Sequence, residues 1–391
     1  MNLLKLASHI EQLVAVTDGM TLRVESRRCV YEWNKDSTCQ ICTTICPTQA
    51  LAVTSGVITL DASACVECGA CRPYCPTGAL VGFDERTRLL QSLSELSPPL
   101  AVDLACGAAP TALADSVSEV ALQIGGCLAG LGAAAYAGLA ALGVERVGVH
   151  LEGCATCPLG ELRSRIATTV DTVRTLIELD VVVVTAQDGE RSHKPMLATR
   201  APRYSRRSLL RRFAGGGAPA ASVLSELNPL PTDAKRPPLE RRALLSALAY
   251  LRPEQRKSAH YFPAMTASTT CTACEMCANV CPTGALAFAT VAGRFSLSFT
   301  PTSCTECGLC VELCTVDALR FATPLAYDNV APSVLLEGEL KSCKRCHAGF
   351  SGEGDLCATC AFRRRHPAGS ILRAPGASAG NTAGTPRSGT G

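Results

Sequence analysis

Cysteine spacing constrains this chain more than any other feature. It holds 24 cysteines in 391 residues, and most fall in groups of four. Three groups share the spacing C-x2-C-x2-C-x3-C: Cys65, Cys68, Cys71 and Cys75; Cys271, Cys274, Cys277 and Cys281; and Cys304, Cys307, Cys310 and Cys314. Three thiolates on one tight loop reach three corners of a cubane iron–sulfur cluster, and the fourth serves a second cluster. The spacing predicts paired [4Fe–4S] sites, with structural zinc as the alternative.

A fourth copy of the motif is incomplete. Cys39, Cys42 and Cys46 keep its last three cysteines, but Asp36 stands where the first belongs, and Cys29 lies seven residues farther upstream. A thiolate is a softer and stronger iron ligand than a carboxylate. We therefore predict that Cys29 supplies the missing ligand, with Asp36 as the alternative.

These motifs resemble the bacterial two-cluster ferredoxin twice, at about residues 22–88 and 264–324. The resemblance implies a pseudo-symmetric fold, to which the hairpin-like segments Leu51–Leu60 and Leu286–Phe299 conform. It also implies crossed ligation of four [4Fe–4S] clusters. The implied ligand sets are Cys46 with Cys65, Cys68 and Cys71; Cys75 with Cys29, Cys39 and Cys42; Cys314 with Cys271, Cys274 and Cys277; and Cys281 with Cys304, Cys307 and Cys310.

The segment between the two modules has a different pattern. Short apolar runs alternate with helical stretches: strands at Leu100–Ala105, Val120–Gly125, Arg146–Leu151 and Asp180–Thr185, and helices near Leu131–Leu142 and Leu159–Leu179. This alternation predicts βαβ units and a parallel sheet over about Pro98–Gln187. Four cysteines follow the carboxyl ends of the predicted strands, where open parallel sheets collect ligands: Cys106, Cys127, Cys154 and Cys157.

Three interpretations of these central cysteines stay open. The first is a metal or iron–sulfur site, [2Fe–2S] or [4Fe–4S], and here the layout resembles the delta subunit of methyl-viologen-reducing hydrogenases. The second is a flavin or nicotinamide site, because Ile124–Gly130 is similar to the start of a dinucleotide fingerprint. Glu152 closes the following strand, near the offset of about 20 residues where an acid that binds the ribose is expected. Against it, Cys127 replaces the glycine that lets the backbone approach a pyrophosphate. The third is ordinary buried thiols.

The last four cysteines of the chain form two CxxC pairs. Cys343, Cys346, Cys357 and Cys360 form two knuckles ten residues apart. Four thiolates at this spacing predict a small zinc ribbon. A rubredoxin-like iron site is the alternative, and the adjoining His347 is a candidate substitute ligand.

Composition excludes several functional classes. The net charge is only +3 and aromatic residues make up 4%, which argues against nucleic-acid binding. Val120–Val144 carries no charged residue, but its glycine pair and many alanines favour a strand, a turn and a helix over a membrane span. Charged side chains interrupt the apolar start of the chain, which predicts an amphipathic helix and no signal peptide. Free thiols then indicate a cytoplasmic protein.

The segment Arg191–Arg242 is strongly basic, with 12 Lys and Arg against three acidic residues. We expect a flexible arm that docks a redox partner protein. Within it, Ser205–Arg211 looks like a twin-arginine export motif, but its internal position argues against export. A helix is predicted at Leu239–Leu251. The tail after Arg373 is too poor in apolar bulk to fold.

The predicted fold class is therefore α+β multidomain, with two dicluster modules flanking a small α/β domain and a zinc-ribbon-like knuckle after the second. The predicted divisions are an N-terminal helix 1–21, the first module 22–97, the α/β domain 98–190, the basic linker 191–238, a helix 239–263, the second module 264–326, the ribbon 327–366 and a disordered tail 367–391.

The predicted function is that of an iron–sulfur electron-transfer protein, a non-catalytic subunit or partner of a larger oxidoreductase such as formate dehydrogenase or hydrogenase. No catalytic residue is assigned, because no catalytic triad, phosphate loop or C-x3-C-x2-C radical motif is found. Two alternatives stay open. One is a flavin- or dithiol-dependent oxidoreductase with its active centre in the central domain, and the other is a metal-centre assembly factor.

Overall fold

The computed structural model describes residues 22–82, 84–95, 101–118, 120–185, 191–192, 196–199 and 235–365. The predicted N-terminal helix, the Ser205–Arg211 motif, most of the basic linker and the tail from 367 onward lie outside these residues. Within the described part, no helix is both long and apolar enough to cross a bilayer.

Short helices and strands account for most of the described chain. The helices are α1 Val30–Trp33, α2 Ile41–Ile45, α3 Glu85–Glu95, α4 Ala133–Ala141, α5 Arg163–Leu176, α6 Leu239–Tyr250, α7 Met276–Val280, α8 Leu309–Glu312 and α9 Ala358–Arg365. The strands are β1 Arg23–Val24, β2 Leu51–Thr54, β3 Val57–Leu60, β4 Leu80–Val81, β5 Ala101–Cys106, β6 Leu113–Ala114, β7 Ala121–Ile124, β8 Arg146–His150, β9 Asp180–Val184, β10 Arg191–Ser192, β11 Met196–Ala198, β12 Phe262–Ala267, β13 Leu286–Val291, β14 Arg294–Phe299, β15 Leu319–Leu325, β16 Ser333–Glu339, β17 Lys341–Ser342 and β18 Gly349–Phe350.

The central segment folds around a five-stranded sheet in the order β11-β7-β5-β8-β9. Every neighbouring pair is parallel, so the predicted parallel sheet is confirmed. The four predicted strands lie within one or two residues of their expected positions. The edge strand β11 was not expected, because it falls in the segment that composition assigns to a linker.

Four helices pack with this sheet into one core. The alanine-rich α4 lies at its centre, and a Cβ on Gly138 would stand 2.6 Å from Leu90 Cδ1, so α3 packs directly against its surface. Helix α6 contributes Ala243 and Ala247 to the same core. The small side chains of α4 and α6 allow two helices distant in sequence to approach closely.

Each cysteine-rich module is built from a hairpin and a pair of strands that joins its ends. In the first module β2 pairs with β3 and β1 with β4; in the second β13 pairs with β14 and β12 with β15. All four pairs are antiparallel. This is the pseudo-symmetric arrangement that the resemblance implies. Strand β16 then adds to β14 and widens the second module's hairpin to three strands.

Candidate metal centres

The last cysteine of each motif begins the same backbone turn in all four copies. The residue three positions later has a positive φ in every copy: Gln49 (54°), Gly78 (66°), Gly284 (69°) and Asp317 (49°). In three copies the amide N–H four positions later donates to the cysteine sulfur: Ala50 to Cys46 at 3.3 Å, Ala79 to Cys75 at 3.3 Å and Ala318 to Cys314 at 3.2 Å. Such hydrogen bonds favour the thiolate and set the potential of a cluster bound to it.

The loops that carry the other three cysteines also share a backbone form, except in the incomplete copy. Each intact loop has two left-handed residues around its second cysteine: Glu67 and Gly69, Ala273 and Glu275, and Glu306 and Gly308. These residues curl the loop so that its N–H groups form a concave surface. In the incomplete copy Gln40 has a φ of −125°. The loop there lacks the tight curl, as expected where the first cysteine is missing.

The thiols of the two modules gather into four groups, each drawn from two motifs. Group I is Cys46, Cys65, Cys68 and Cys71; group II is Cys29, Cys39, Cys42 and Cys75; group III is Cys281, Cys304, Cys307 and Cys310; group IV is Cys271, Cys274, Cys277 and Cys314.

Groups I and III each line a cavity. A space of about 540 Å³, partly open to solvent, is bordered by all four group I cysteines. A second space of about 310 Å³ is bordered by all four group III cysteines. The donor set in each case is four thiols around a hollow, so the residues present fit an iron–sulfur cluster.

Group II contains the residue that the sequence left in question. Cys29 is 8% exposed and Asp36 lies at the surface. Burial, followed by the charges of Cys75, Cys39 and Cys29, raises the pKa of Cys42 to about 12. The structure therefore brings Cys29 to the other three thiols and leaves Asp36 outside them.

Group IV shows the same crossing between motifs. Burial raises the pKa of Cys277 to about 12, and the charges of Cys271, Cys274 and Cys314 contribute to the rise. Group IV thus joins three thiols of one motif to the last thiol of the next.

The two modules contact each other through their cluster-binding loops. Val280 and Leu309 of the second module belong to the buried core of the first. Burial raises the pKa of Cys307 to about 12, and the charge of Cys39, across the boundary, is among the contributions. Group II therefore lies directly beside group III.

The described end of the basic linker joins the two modules. Lys235 Nζ donates to the carbonyl oxygens of Ala278 and Asn279, both at 2.8 Å. The Arg28 guanidinium of the first module donates to the Arg236 carbonyl at 3.3 Å. This part of the predicted docking arm is thus engaged within the chain.

The structure places the four central cysteines at one edge of the parallel sheet. Cys106 ends β5, Cys127 follows β7, and Cys154 and Cys157 follow β8. Burial, followed by the charges of Cys106 and Cys157, raises the pKa of Cys154. All four cysteines thus lie at the carboxyl edge of the sheet, where the parallel strands lead us to expect them.

A buried charged cluster lies beneath this edge, and sequence analysis missed it. His150 Nε2 lies 2.9 Å from Asp103 Oδ1, and His150 Nδ1 lies 3.2 Å from Glu152 Oε1. Ser116 and Ser118 donate hydrogen bonds to Asp103. Burial alone lowers the pKa of His150, but the bonds to the two carboxylates outweigh it and raise that pKa. The alternation of polar residues within buried strands was the available signal.

The same geometry argues against a dinucleotide site at the glycine turn. Glu152, the candidate ribose ligand, is buried and also accepts a hydrogen bond from the Ala114 N–H at 3.1 Å. The Gly126 N–H donates to Glu85 Oε1 at 2.7 Å. A Cβ on Gly130 would stand 3.1 Å from the Cys68 carbonyl oxygen. The space that a pyrophosphate needs is filled by a carboxylate and by the first module.

The C-terminal CxxC pairs form the most compact thiol group. The sulfur atoms of Cys343, Cys346, Cys357 and Cys360 all lie within 4.8 Å of one another, and no other set of three or more His, Cys, Asp or Glu ligand atoms in the described residues is as compact. The Cys346 and Cys357 sulfurs are 3.7 Å apart, and zinc–sulfur bonds of about 2.3 Å in a tetrahedron require about 3.8 Å. The Cys357 N–H donates to Cys343 Sγ at 3.3 Å. This bond, together with hydrogen bonds from Cys346 and Arg345, outweighs burial and lowers the pKa of the Cys343 thiol to about 6. The four thiols fit one tetrahedral metal ion.

Two family models match this chain, and together they cover the three intact cysteine motifs. A 4Fe-4S binding domain matches residues 58–81, and a 4Fe-4S dicluster domain matches residues 270–318. The chain contains two ferredoxin-type 4Fe–4S domains. No curated protein matches the chain, and no match supports the resemblance of the central segment to the hydrogenase delta subunit. The two ferredoxin modules are therefore established, and the central domain stands on its own structure.

Proposed function

We propose that this protein is an iron–sulfur electron-transfer protein in which thiol groups I to IV each hold one [4Fe–4S] cluster. A bound cluster supplies a one-electron redox couple whose potential depends on hydrogen bonds to its sulfurs and on its exposure. The ferredoxin domains carry the general assignment. The observation that favours a single relay over two separate ferredoxins is the position of Cys307 beside Cys39.

The four groups are adjacent in one order. Burial raises the pKa of Cys71, and the charge of Cys42 contributes, so groups I and II are neighbours. Burial likewise raises the pKa of Cys310, with a contribution from Cys277, so groups III and IV are neighbours. With Cys39 beside Cys307, the order is I, II, III, IV.

The residues of this chain have defined tasks in the proposal. Thiolates hold the clusters, the N–H groups of Ala50, Ala79 and Ala318 donate to their sulfurs, and the linker end at Lys235 fixes the two modules together. We propose Cys29 as the fourth ligand of group II. The ribbon thiols would hold a structural zinc ion beside group IV, because the Ser351 N–H donates to the Thr272 carbonyl at 3.0 Å.

The partners are proposed to be redox proteins, and the larger assembly an oxidoreductase such as a formate dehydrogenase or a hydrogenase. Within this proposal the protein works in the cytoplasm, where its thiols stay reduced. The basic linker residues outside the described part would supply the positive surface for docking.

An anaerobic reductive titration of the full chain tests the proposal. Four one-electron clusters predict uptake of about four electrons per chain from groups I to IV, and rapid reoxidation by a one-electron acceptor such as oxidised methyl viologen. A yellow chromophore that survives iron chelation would support the flavin alternative instead. Loss of clusters to an apo-ferredoxin in place of reoxidation would support an assembly factor.

A further inference from the structure

Three of the central cysteines lie on two loops, after β5 and after β8, that are in close contact at a glycine. A Cβ on Gly153 would stand 2.0 Å from the Ala108 carbonyl oxygen, so the loop after β8 crosses the loop after Cys106 in backbone contact. A Cβ on Gly160 would stand 2.3 Å from the Cys154 carbonyl oxygen. No larger residue fits at either position. The backbone is therefore built to bring Cys106, Cys154 and Cys157 to one place.

Cys127 completes this set from the next strand. Strand β7 pairs in parallel with β5, with Ile124 opposite Cys106, and Gln123 Nε2 donates to the Cys106 carbonyl oxygen at 3.4 Å. All four central cysteines are partly buried. Four thiols from three loops thus share one partly covered site at the carboxyl edge of a parallel sheet, where such folds bind ligands.

The spacing of these thiols differs from that of the ribbon. The ribbon sulfurs meet the spacing of ligands around one ion, whereas the central sulfurs do not form so compact a set. In the described residues, no three thiols of groups I to IV form a set as compact as the ribbon thiols either. Wider spacing suits a multi-iron cluster, because its cysteines bind different iron atoms.

The central site also adjoins a ferredoxin module directly. The Cys127 N–H donates to the Cys68 carbonyl oxygen at 3.4 Å. Gly126 and Gly130 both approach this oxygen, at 3.5 and 3.1 Å from where a Cβ would stand. The loop of group I and the loop of Cys127 are therefore packed backbone to backbone.

We propose that Cys106, Cys127, Cys154 and Cys157 bind a fifth iron–sulfur cluster, placed beside group I at the end of the row. The inference rests on the proposed function for its neighbour, and on the four central thiols for its ligands. The order of neighbouring sites along the protein is then the central site, group I, group II, group III and group IV. This series of sites begins in the α/β domain and ends next to the ribbon.

Iron, sulfide and zinc analysis of the full chain and its Cys127→Ser variant, purified without oxygen, tests this inference. Groups I to IV account for about 16 irons, and the unaltered chain should contain about two or four more, with an equal number of sulfides. Cys127→Ser should lose that excess and keep the rest. Thr156→Ala, at an exposed position between Cys154 and Cys157, is the matched control and should lose nothing.

Electron paramagnetic resonance of the reduced proteins gives a second readout. Because a paramagnetic neighbour broadens the signal of a nearby cluster, the signal of the group I cluster should sharpen in Cys127→Ser. Cys157→Ser, on a less enclosed loop, replaces Cys127→Ser if that variant does not fold. A Mössbauer spectrum of the oxidised, unaltered chain distinguishes a central [2Fe–2S] cluster from the [4Fe–4S] clusters without any substitution.

Either of two results would overturn this inference while leaving the proposed function intact. One is about 16 irons in the unaltered chain with no excess, and the other is one extra zinc that disappears in Cys127→Ser. The first would leave ordinary buried thiols, and the second a structural zinc site. Absence of the 16 irons themselves would instead overturn the proposed function, so the two failures are distinguishable.

Discussion

His150 Nε2 lies 2.9 Å from Asp103 Oδ1 in the buried core beneath the central cysteines. Both side chains are fully buried, and Glu152 approaches the other ring nitrogen. In its protonated form the imidazole donates to both carboxylates, so the three side chains form one buried ionic cluster. Breaking such a pair leaves uncompensated charge in the interior.

We predict that His150→Leu destabilises the central domain by about 3–5 kcal/mol, because two carboxylates lose their common partner. Hydrogen exchange of the strand β5 and β8 amides measures the loss. His260→Leu, at an exposed position, is the control and should change little. Equal protection in both variants would contradict the prediction.

The same cluster predicts a pH dependence. The folded-state pKa of His150 is raised, so its contribution is complete below the unfolded value of about 6.5 and is lost as the pH rises through the folded value. Burial alone raises the pKa of Asp103, but its hydrogen bonds outweigh this and lower it; that contribution is present above about 3.9 and is lost as the pH falls through the folded value. Central-domain stability should therefore decline above about pH 6.5 in the unaltered protein, and His150→Leu should remove that decline.

Substitution at the incomplete motif discriminates between its two candidate ligands. Cys29→Ser should lower bound iron by about one to four atoms per chain, through loss of one iron or of the whole group II cluster. Asp36→Asn should leave iron unchanged, because Asp36 lies at the surface. Iron analysis and the appearance of a three-iron resonance report the result. The opposite pattern would assign the ligand to Asp36.

The ribbon predicts a separable zinc site. Cys346→Ser should reduce bound zinc from about one per chain to near zero, with iron unchanged, because three thiolates bind zinc more weakly than four. His347→Ala is the control and should retain zinc, since four thiolates already complete a tetrahedron. Iron in place of zinc would support the rubredoxin-like alternative.

The hairpin turns at Gly56 and Gly293 allow the cost of an alanine in a left-handed backbone to be compared at two sites. Gly56 and Gly293 both have a positive φ, of 67° and 75°. An alanine at either costs about 1–2 kcal/mol for the left-handed backbone, but only at Gly56 would the Cβ also meet Lys35, at 2.7 Å from its carbonyl oxygen. Gly56→Ala should therefore lower the thermal midpoint of its module more than Gly293→Ala does. Equal effects would show that the Lys35 loop yields freely.

Much of this architecture follows from local sequence signals. The cysteine motifs indicate the ferredoxin modules because cluster ligation demands fixed spacing, and the alternating apolar runs indicate the parallel sheet. The structure places Cys29 near Cys39, Cys42 and Cys75, and its role as a cluster ligand stays a prediction. Each of these signals is a residue spacing or a hydrophobic pattern that can be recognised in a short segment of the sequence.

The relations between modules could not be predicted in this way. Cys39 and Cys307 pack against one buried core, to which Val280 and Leu309 of the second module also belong. The position of Glu152 in the sequence fits a ribose ligand, and its pairing with the buried His150 appears only in the folded chain. Strand β11 was missed because three residues at a sheet edge carry too little apolar pattern.

The most direct test of the account is the iron, acid-labile sulfide and zinc content of the full chain purified without oxygen. Four clusters in groups I to IV predict at least about 16 irons with equal sulfide, and the ribbon adds one zinc. Zinc in place of iron, with iron scarce even after reconstitution, would contradict the relay and leave a scaffold of zinc sites.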